Sequence, residues 1–471
     1  MRMKFKLDLI AMKARQDSEL KFTTLIHHLN EENLAACYKE LKRNKACGID
    51  KVTVESYGEN LKENLASLVS RLKDKTYRPK PVKRVYIPKP GRKEKRGLGL
   101  PSVEDKLVQL MVKKLLEAIY ENDFLNCSYG FRPKLSCHQA INALDKVVMT
   151  KPINYVVEVD VRKFFDNVSH HWLQRCLEER IADKNLLWLI RRFLKAGIVE
   201  EGQYHASTSG TPQGGVLSPL LANIYLHYVL DLWFEKKIKP QAKGYMQLIR
   251  YCDDFVICCQ NKQDAEEFLP NLRTRLSLFN LSVAEEKSGV IEFGRNVWFR
   301  LLNTKAKPAT FDFLGFTHIC ASSRRGKFIM KHKTSKKSLS RSLKEMNHWL
   351  RSIRSCLKLS EWFPVFKLKL NGHYNYFGIS GNLDSLKQFR WNSFWLAFKW
   401  INRRSQKKSM TYEQFVECWE RNNVPEPKIK HSLYTLSTNH CNTASKSRVW
   451  ENYKHGSEGV GIAMKLKPIK E

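Results

Sequence analysis

"IRYCDDFVICC", residues 249–259, reads as two strands interrupted by a pair of aspartates, Asp253 and Asp254. Strand interiors disfavour Asp, and adjacent like charges repel. The apolar runs on either side of Cys-Asp-Asp outline a tight β-hairpin, and turn chemistry alone can place Asp there. This turn leads straight into the apolar "FVICC", however, which anchors it in a buried sheet. Paired carboxylates beside a core are tolerable when a divalent cation sits between them.

A second acidic strand end lies upstream, in "NYVVEVDVRKFFDNVSHHWL" (154–173). Period-two alternation puts Val156, Glu158 and Asp160 on one face, and Asp160 ends the strand just before a helix-like stretch. Standing alone, Asp160 reads as a helix N-cap. Together with Asp253 and Asp254 it supplies three oxygen-rich ligands. Two-metal phosphoryl transfer needs such a set: one Mg²⁺ activates an attacking 3′-hydroxyl and the other stabilises the leaving pyrophosphate.

The bulk numbers agree with a nucleic-acid enzyme. Across 471 residues, 82 Lys and Arg face 47 Asp and Glu, a net charge of +35. Such an imbalance suits a track for phosphates, each of which releases counterions when neutralised. Hydrophobic content of 42% and aromatic content of 11% support sizeable cores, and the length implies two or more domains. None of the 12 cysteines forms a Cys-x-x-Cys pair, so no zinc site is expected. No apolar run approaches the ~18 residues of a membrane span, and the start lacks a signal-peptide core. A reduced, intracellular, soluble protein is expected.

Along the chain, residues 23–75 look helical with a break at "NKACGIDKVT". "KRVYIPKPGRKEKRGLGLP" reads as strand, basic turn and strand. A helix follows, with Ser102 and Asp105 at capping-box spacing and Leu107, Met111, Leu115 and Ile119 on one face. Residues 331–344 carry six Lys and Arg and no acid, and 345–420 are helical and rich in Trp, Phe and Tyr.

In order, the blocks "YIPKPGRKEKRGLGLPSVEDKLVQ", "SYGFRPKLSCHQAI", "VDVRKFFDNV", "GTPQGGVLSPLLANIYLHYVLD", "RYCDDF", "LSVAEEKSGVI" and "FDFLGF" resemble those of group II intron reverse transcriptases, the maturases. The resemblance spans roughly residues 23–420. It implies an α+β right-hand polymerase, fingers and palm around an antiparallel sheet, followed by an α-helical thumb or maturase domain. The expected domains are 1–75 (N-terminal extension and start of fingers), 76–320 (fingers and palm), 321–420 (thumb) and 421–471 (a basic C-terminal segment). The resemblance further implies catalytic and metal-binding roles for Asp160, Asp253 and Asp254. It implies nucleotide contacts from Lys89, Arg96, Phe165 (a plate against the 2′-hydroxyl) and Gln213. Primer and template fall to Tyr251, Cys252, Lys287 and Gly315. RNA falls to Lys331, Lys333, Lys336 and Lys337, and to the aromatic and Arg-rich 371–404 segment with Tyr374, Tyr376, Arg390, Lys399, Arg403 and Arg404. Core packing is the alternative for Phe165, and fits Phe164 better. Two Mg²⁺ ions, intron RNA or another RNA template, a DNA primer or target and deoxynucleoside triphosphates are the expected cofactors and partners, with a homodimer also considered and the bacterial cytoplasm the expected location. Cys252 stands where this family commonly has Ala, which keeps a small side chain. No His-Asn-His endonuclease pattern is expected in the tail. Two rivals remain open: a splicing maturase whose polymerase is inactive, and a freestanding relative in DNA repair or phage defence.

Overall fold

The computed structural model describes residues 2–88, 95–212, 214–404 and 409–433. The chain is mixed α+β and falls into two compact units. The first unit takes residues up to 140 and 156–290; the second takes 141–155 and the described residues from 291 onward.

Eleven strands form three sheets among the described residues: β1 (Val82–Pro88), β2 (Lys95–Leu100), β3 (Tyr155–Asp160), β4 (Ile198–Glu200), β5 (Gln203–His205), β6 (Met246–Tyr251), β7 (Asp254–Cys259), β8 (Gly289–Glu292), β9 (Phe311–Phe313), β10 (Phe316–Ser322) and β11 (Phe328–Thr334). The expected basic hairpin is present. β1 and β2 pair antiparallel from Lys83↔Leu100 to Pro88↔Lys95, and β1 also takes β4 as a parallel neighbour. The sheet order is β2-β1-β4-β5. The sheet that decides the site runs β6-β7-β3-β8, which makes the strand ending in Asp160 a direct neighbour of the strand beginning at Asp254.

The helix Val103–Tyr120 anchors the first unit's core. Leu107, Met111, Leu115 and Ile119 are fully buried along one face, as their spacing requires. Its cap is the expected one: the Ser102 hydroxyl accepts from the Asp105 amide and donates to the Asp105 carboxylate. The expected helical region before β1 resolves into Glu31–Glu40, Val54–Glu59 and Leu61–Lys73. A further helix, Arg2–Gln16, occupies a start whose alternation of charge and apolar residues hid it.

The second unit joins the sheet β11-β10-β9 to four helices, Lys336–Ile353, Leu359–Phe377, Leu383–Ile401 and Tyr412–Arg421. Their core is aromatic: Trp362 and Phe366 stack at 5.1 Å, and Phe389, Phe394, Trp400, Phe415 and Trp419 close around them. No helix among the described residues is long and apolar enough to cross a membrane.

Candidate active site

The hairpin read from "IRYCDDFVICC" is real. β6 and β7 pair antiparallel from Met246↔Cys259 to Tyr251↔Asp254, leaving Cys252 and Asp253 as a two-residue loop. Phe255 to Cys259 are buried, whereas Asp254 is exposed and Asp253 half-buried. The core strand therefore drives a carboxylate pair out at its rim. Cys252 adopts φ 59°, the left-handed region that costs a side-chain-bearing residue about 1–2 kcal/mol. It is buried, and that burial pushes its thiol pKa far up, so it is an inert small residue.

Asp160 is not a helix cap. The short helix Phe164–Asn167 begins after Lys163, which occupies the cap position. The "AEEKSG" segment holds Asp160 instead. The Asp160 amide donates to Ser288 Oγ at 3.1 Å, and its carbonyl accepts from the Ala284 amide at 2.8 Å. Its carboxylate takes the Lys287 ammonium at 2.6 Å. Lys287, expected at the primer end, thus touches a candidate metal ligand. Among the described residues no three His, Cys, Asp or Glu groups converge closely enough to hold a metal ion as they stand. The strand that ends in Asp160 is the sheet neighbour of the strand that begins at Asp254, and the cation on Asp160 is the lysine.

Phe165 is half-buried and lines a cavity of about 580 Å³, while Phe164 is the core residue, packed edge-on to it at 5.3 Å. Arg84, Gly97, Gly99, Lys163 and the loop Ser207–Pro212 share that cavity. Two glycines of "GTPQGG" are explained by close approach. Gly210 (φ +82°) sits where a Cβ would fall 2.9 Å from the Phe165 carbonyl, and Gly214 (φ +107°) where one would fall 2.6 Å from the Gly99 carbonyl. Lys89 and Gln213 lie outside the described residues; Arg96 is on β2, paired with Ile87. Tyr251 ends β6 with its ring 6.2 Å from Phe131.

In the second unit, "FLGF" is a tight hairpin. Phe313 pairs with Phe316, and Leu314 (φ 51°) and Gly315 (φ 81°) form the loop. The Gly315 carbonyl accepts from the Ser335 amide at 3.0 Å, and the Leu314 carbonyl from the Tyr376 hydroxyl at 3.0 Å. The basic run divides between elements: Lys331 and Lys333 are on β11, whereas Lys336, Lys337, Arg341 and Lys344 are exposed on the helix that follows. Tyr374, expected to offer a stacking face, is 1% exposed and packs in the aromatic core, its hydroxyl directed at the Pro425 carbonyl. Arg404 is half-buried and donates to the Leu357 carbonyl at 2.7 Å, while Arg403 is exposed beside Trp400. Tyr376 is exposed as expected, and further exposed aromatic faces belong to residues the sequence reading passed over. Trp391 is 58% exposed, and Trp395 stacks on Tyr412 at 5.9 Å. With Lys387 and Lys399 they repeat every four residues, so the helical period could have found them.

Comparison with known proteins bears on this geometry. Residues 87–318 match the family model described as reverse transcriptase (RNA-dependent DNA polymerase). The group II intron-encoded protein LtrA of Lactococcus lactis subsp. cremoris is 29% identical, over 81% of this chain and 75% of its own length. Protein YkfC of Escherichia coli (strain K12) is 31% identical, over 59% of this chain and 77% of its own. Nuclear intron maturase 4, mitochondrial, of Arabidopsis thaliana is 29% identical over 32% of this chain and 19% of its own. A basic chain with a Tyr-Cys-Asp-Asp hairpin beside a second acidic strand end has the makings of a nucleotidyltransferase that works on nucleic acid. The chain belongs to the reverse transcriptase family, on its group II intron-encoded branch.

Proposed function

We propose that this chain copies RNA into DNA at the Cys252–Asp254 turn and also assists the splicing and mobility of an intron RNA. The observation that carries the polymerase reading is the hairpin: a carboxylate pair, Asp253 half-buried and Asp254 exposed, at the turn that opens β7, the sheet neighbour of the strand that ends in Asp160. Family membership supports the reaction type and RNA as the template.

Asp160, Asp253 and Asp254 would hold two Mg²⁺. Their all-carboxylate oxygen set suits a hard cation. The Lys287 ammonium on Asp160 is a positive charge already standing at that carboxylate. When bound, the ions would lower the pKa of a primer 3′-hydroxyl and stabilise the departing pyrophosphate. Asp160 would exchange its lysine partner for this role, leaving Lys287 near the reacting phosphates.

The cavity beside Phe165 is proposed to receive the deoxynucleoside triphosphate, with Lys89, Arg96 and Gln213 as its further contacts. Phe165 lines that cavity, and its ring would exclude a 2′-hydroxyl by bulk. Residues 76–320 would be fingers and palm of a right hand and 321–420 the thumb. Gly315 would guide the primer through its hairpin. The exposed Lys336, Lys337, Arg341 and Lys344 would neutralise phosphates of intron RNA, and Trp391, Trp395 and Tyr412 would stack on unpaired bases. The basic segment 421–471 would add nonspecific grip on a DNA target.

The test is direct. Purified protein is given a DNA primer annealed to an RNA template, the four deoxynucleotides and Mg²⁺. Extension that stops on chelation supports the reading; no extension by folded protein on any RNA template overturns it.

A further inference from the structure

We infer that Arg250 is a positioning residue whose buried guanidinium, clamped by Asp231, Asn223 and Ser128, fixes the turn that carries Asp253. The inference rests on the polymerase reading above. Arg250 stands two residues before the turn and is 0% exposed. A guanidinium keeps its charge and presents five N–H donors in a rigid fork. Here all five meet an acceptor. Nε donates to Asp231 Oδ1 at 2.7 Å; Nη2 donates to Asp231 Oδ2 at 2.5 Å and Ser128 Oγ at 2.8 Å. Nη1 donates to Asn223 Oδ1 at 3.0 Å and to the Cys252 carbonyl at 3.0 Å. That last bond reaches the loop itself. The Cys252 carbonyl belongs to the peptide that leads into Asp253, so its orientation sets the start of the catalytic pair.

The clamp is braced from two further directions. Asn223 donates through Nδ2 to the Gly130 carbonyl at 2.6 Å. The main chain of the "SYGF" block runs beside Arg250: the Arg250 amide donates to the Cys127 carbonyl at 2.7 Å, and the Tyr129 amide to the Arg250 carbonyl at 2.8 Å. The sequence assigned that block no task. Asn223 and Asp231 lie on one run of helix, and the stretch His227–Asp231 between them is wound as a π turn. Eight residues of uniform α-helix would leave the two side chains about 80° apart around the axis. The wider turn lets both meet one guanidinium, and π turns gather at functional sites.

Stability alone gives little reason for this cluster. A buried ion pair replaced by apolar residues of similar volume often leaves a protein as stable or more so. What an apolar pair cannot do is hold the Cys252 carbonyl. The deciding variant is therefore the double substitution Arg250→Met with Asp231→Leu, measured beside wild type and Arg250→Lys in primer extension and thermal melting. The expected result is a thermal midpoint within about 5 °C of wild type. Its kcat should fall at least ~10-fold, with KM for primer–template held within about twofold. Arg250→Lys keeps the charge but not the fork, and its kcat should fall likewise. A folded double variant with wild-type kcat overturns the inference. If the double variant does not fold, a folded Arg250→Lys with wild-type kcat overturns it too, and failure of both to fold assigns the cluster to the fold alone. Extension by the wild type in the same assay is the test of the polymerase reading, so the two failures are distinct.

Discussion

Gly130→Ala is the sharpest perturbation of the turn proposed to be catalytic that adds only one methyl group. Gly130 does not use the left-handed backbone region, so it is glycine for closeness alone. A Cβ there would stand 2.5 Å from the Cys252 nitrogen, 2.9 Å from the Tyr251 carbonyl carbon and 3.2 Å from the Cys252 Cβ. The two nearest are backbone atoms of the hairpin and cannot swing aside. To reach the 3.4 Å of ordinary contact, the hairpin turn and the Gly130 segment must open by about 0.9 Å. Overpacking of this kind costs about 1–3 kcal/mol of stability. A displacement near 1 Å at a reacting centre costs up to about 10²-fold in rate. Gly130→Ala should therefore extend a primer some 10- to 100-fold more slowly while remaining folded. Gly372→Ala is the control with the opposite sign. It lies inside the helix Leu359–Phe377 with nothing within 4 Å of its added Cβ, so it should stabilise by up to about 1 kcal/mol and leave extension unchanged. The assay is single-turnover extension on an RNA template, with thermal midpoints for all three proteins. A folded Gly130→Ala with wild-type rate would refute the claim that this contact sets the turn.

Phe165→Ala should raise ribonucleotide incorporation relative to deoxyribonucleotide, read by extension with each set; an unchanged ratio in a stable protein returns Phe165 to a packing role. Burial lowers the pKa of His227 to about 4 and of His373 to about 3. Both stay neutral when folded, so their contribution is full above the unfolded value near 6.5 and is lost as pH falls through 4 and 3, by on the order of 3 kcal/mol or more at each. His373→Phe, which keeps the stack on Phe389, should therefore flatten the acid limb of thermal midpoint against pH; an unaltered limb would contradict it. Replacing Lys337, Arg341 and Lys344 by Ala should lower the log–log salt slope of RNA binding by about 0.7–0.9 per lost phosphate contact. Trp391→Ala with Trp395→Ala should weaken binding to single-stranded RNA with little change in slope, and equal effects of the two sets on slope would refute the division of labour.

Several elements were legible because local pattern and tertiary role coincide. The hairpin at 249–259 shows itself by apolar runs around Cys-Asp-Asp, and the helix Val103–Tyr120 by its cap and period. Arg250 was not legible. In a chain of net charge +35, an Arg beside a Tyr-x-Asp-Asp motif reads as one more phosphate ligand, and its side-chain acceptors lie 19, 27 and 122 residues away. Nor does the sequence show that Asp160 is held by the 284–288 segment, since that pairing is fixed only when β3 and β8 meet in the sheet. Tyr374 fails for a different reason. Composition counts an aromatic without saying which way it faces, yet Trp362, Phe366, Leu370 and Phe377 mark the apolar stripe that Tyr374 joins, so the period held the answer.

The account stands or falls on the carboxylates at the turn, and Asp253→Asn tests them with the least disturbance of shape. The measurement is the rate of DNA synthesis on a primed RNA template, set against equilibrium binding of the same RNA, for wild type and variant. The account predicts a loss of at least ~10²-fold in synthesis with RNA affinity and thermal midpoint unchanged, because the residues proposed to hold RNA do not include those of the turn. Synthesis at near wild-type rate by a folded Asp253→Asn protein would contradict it.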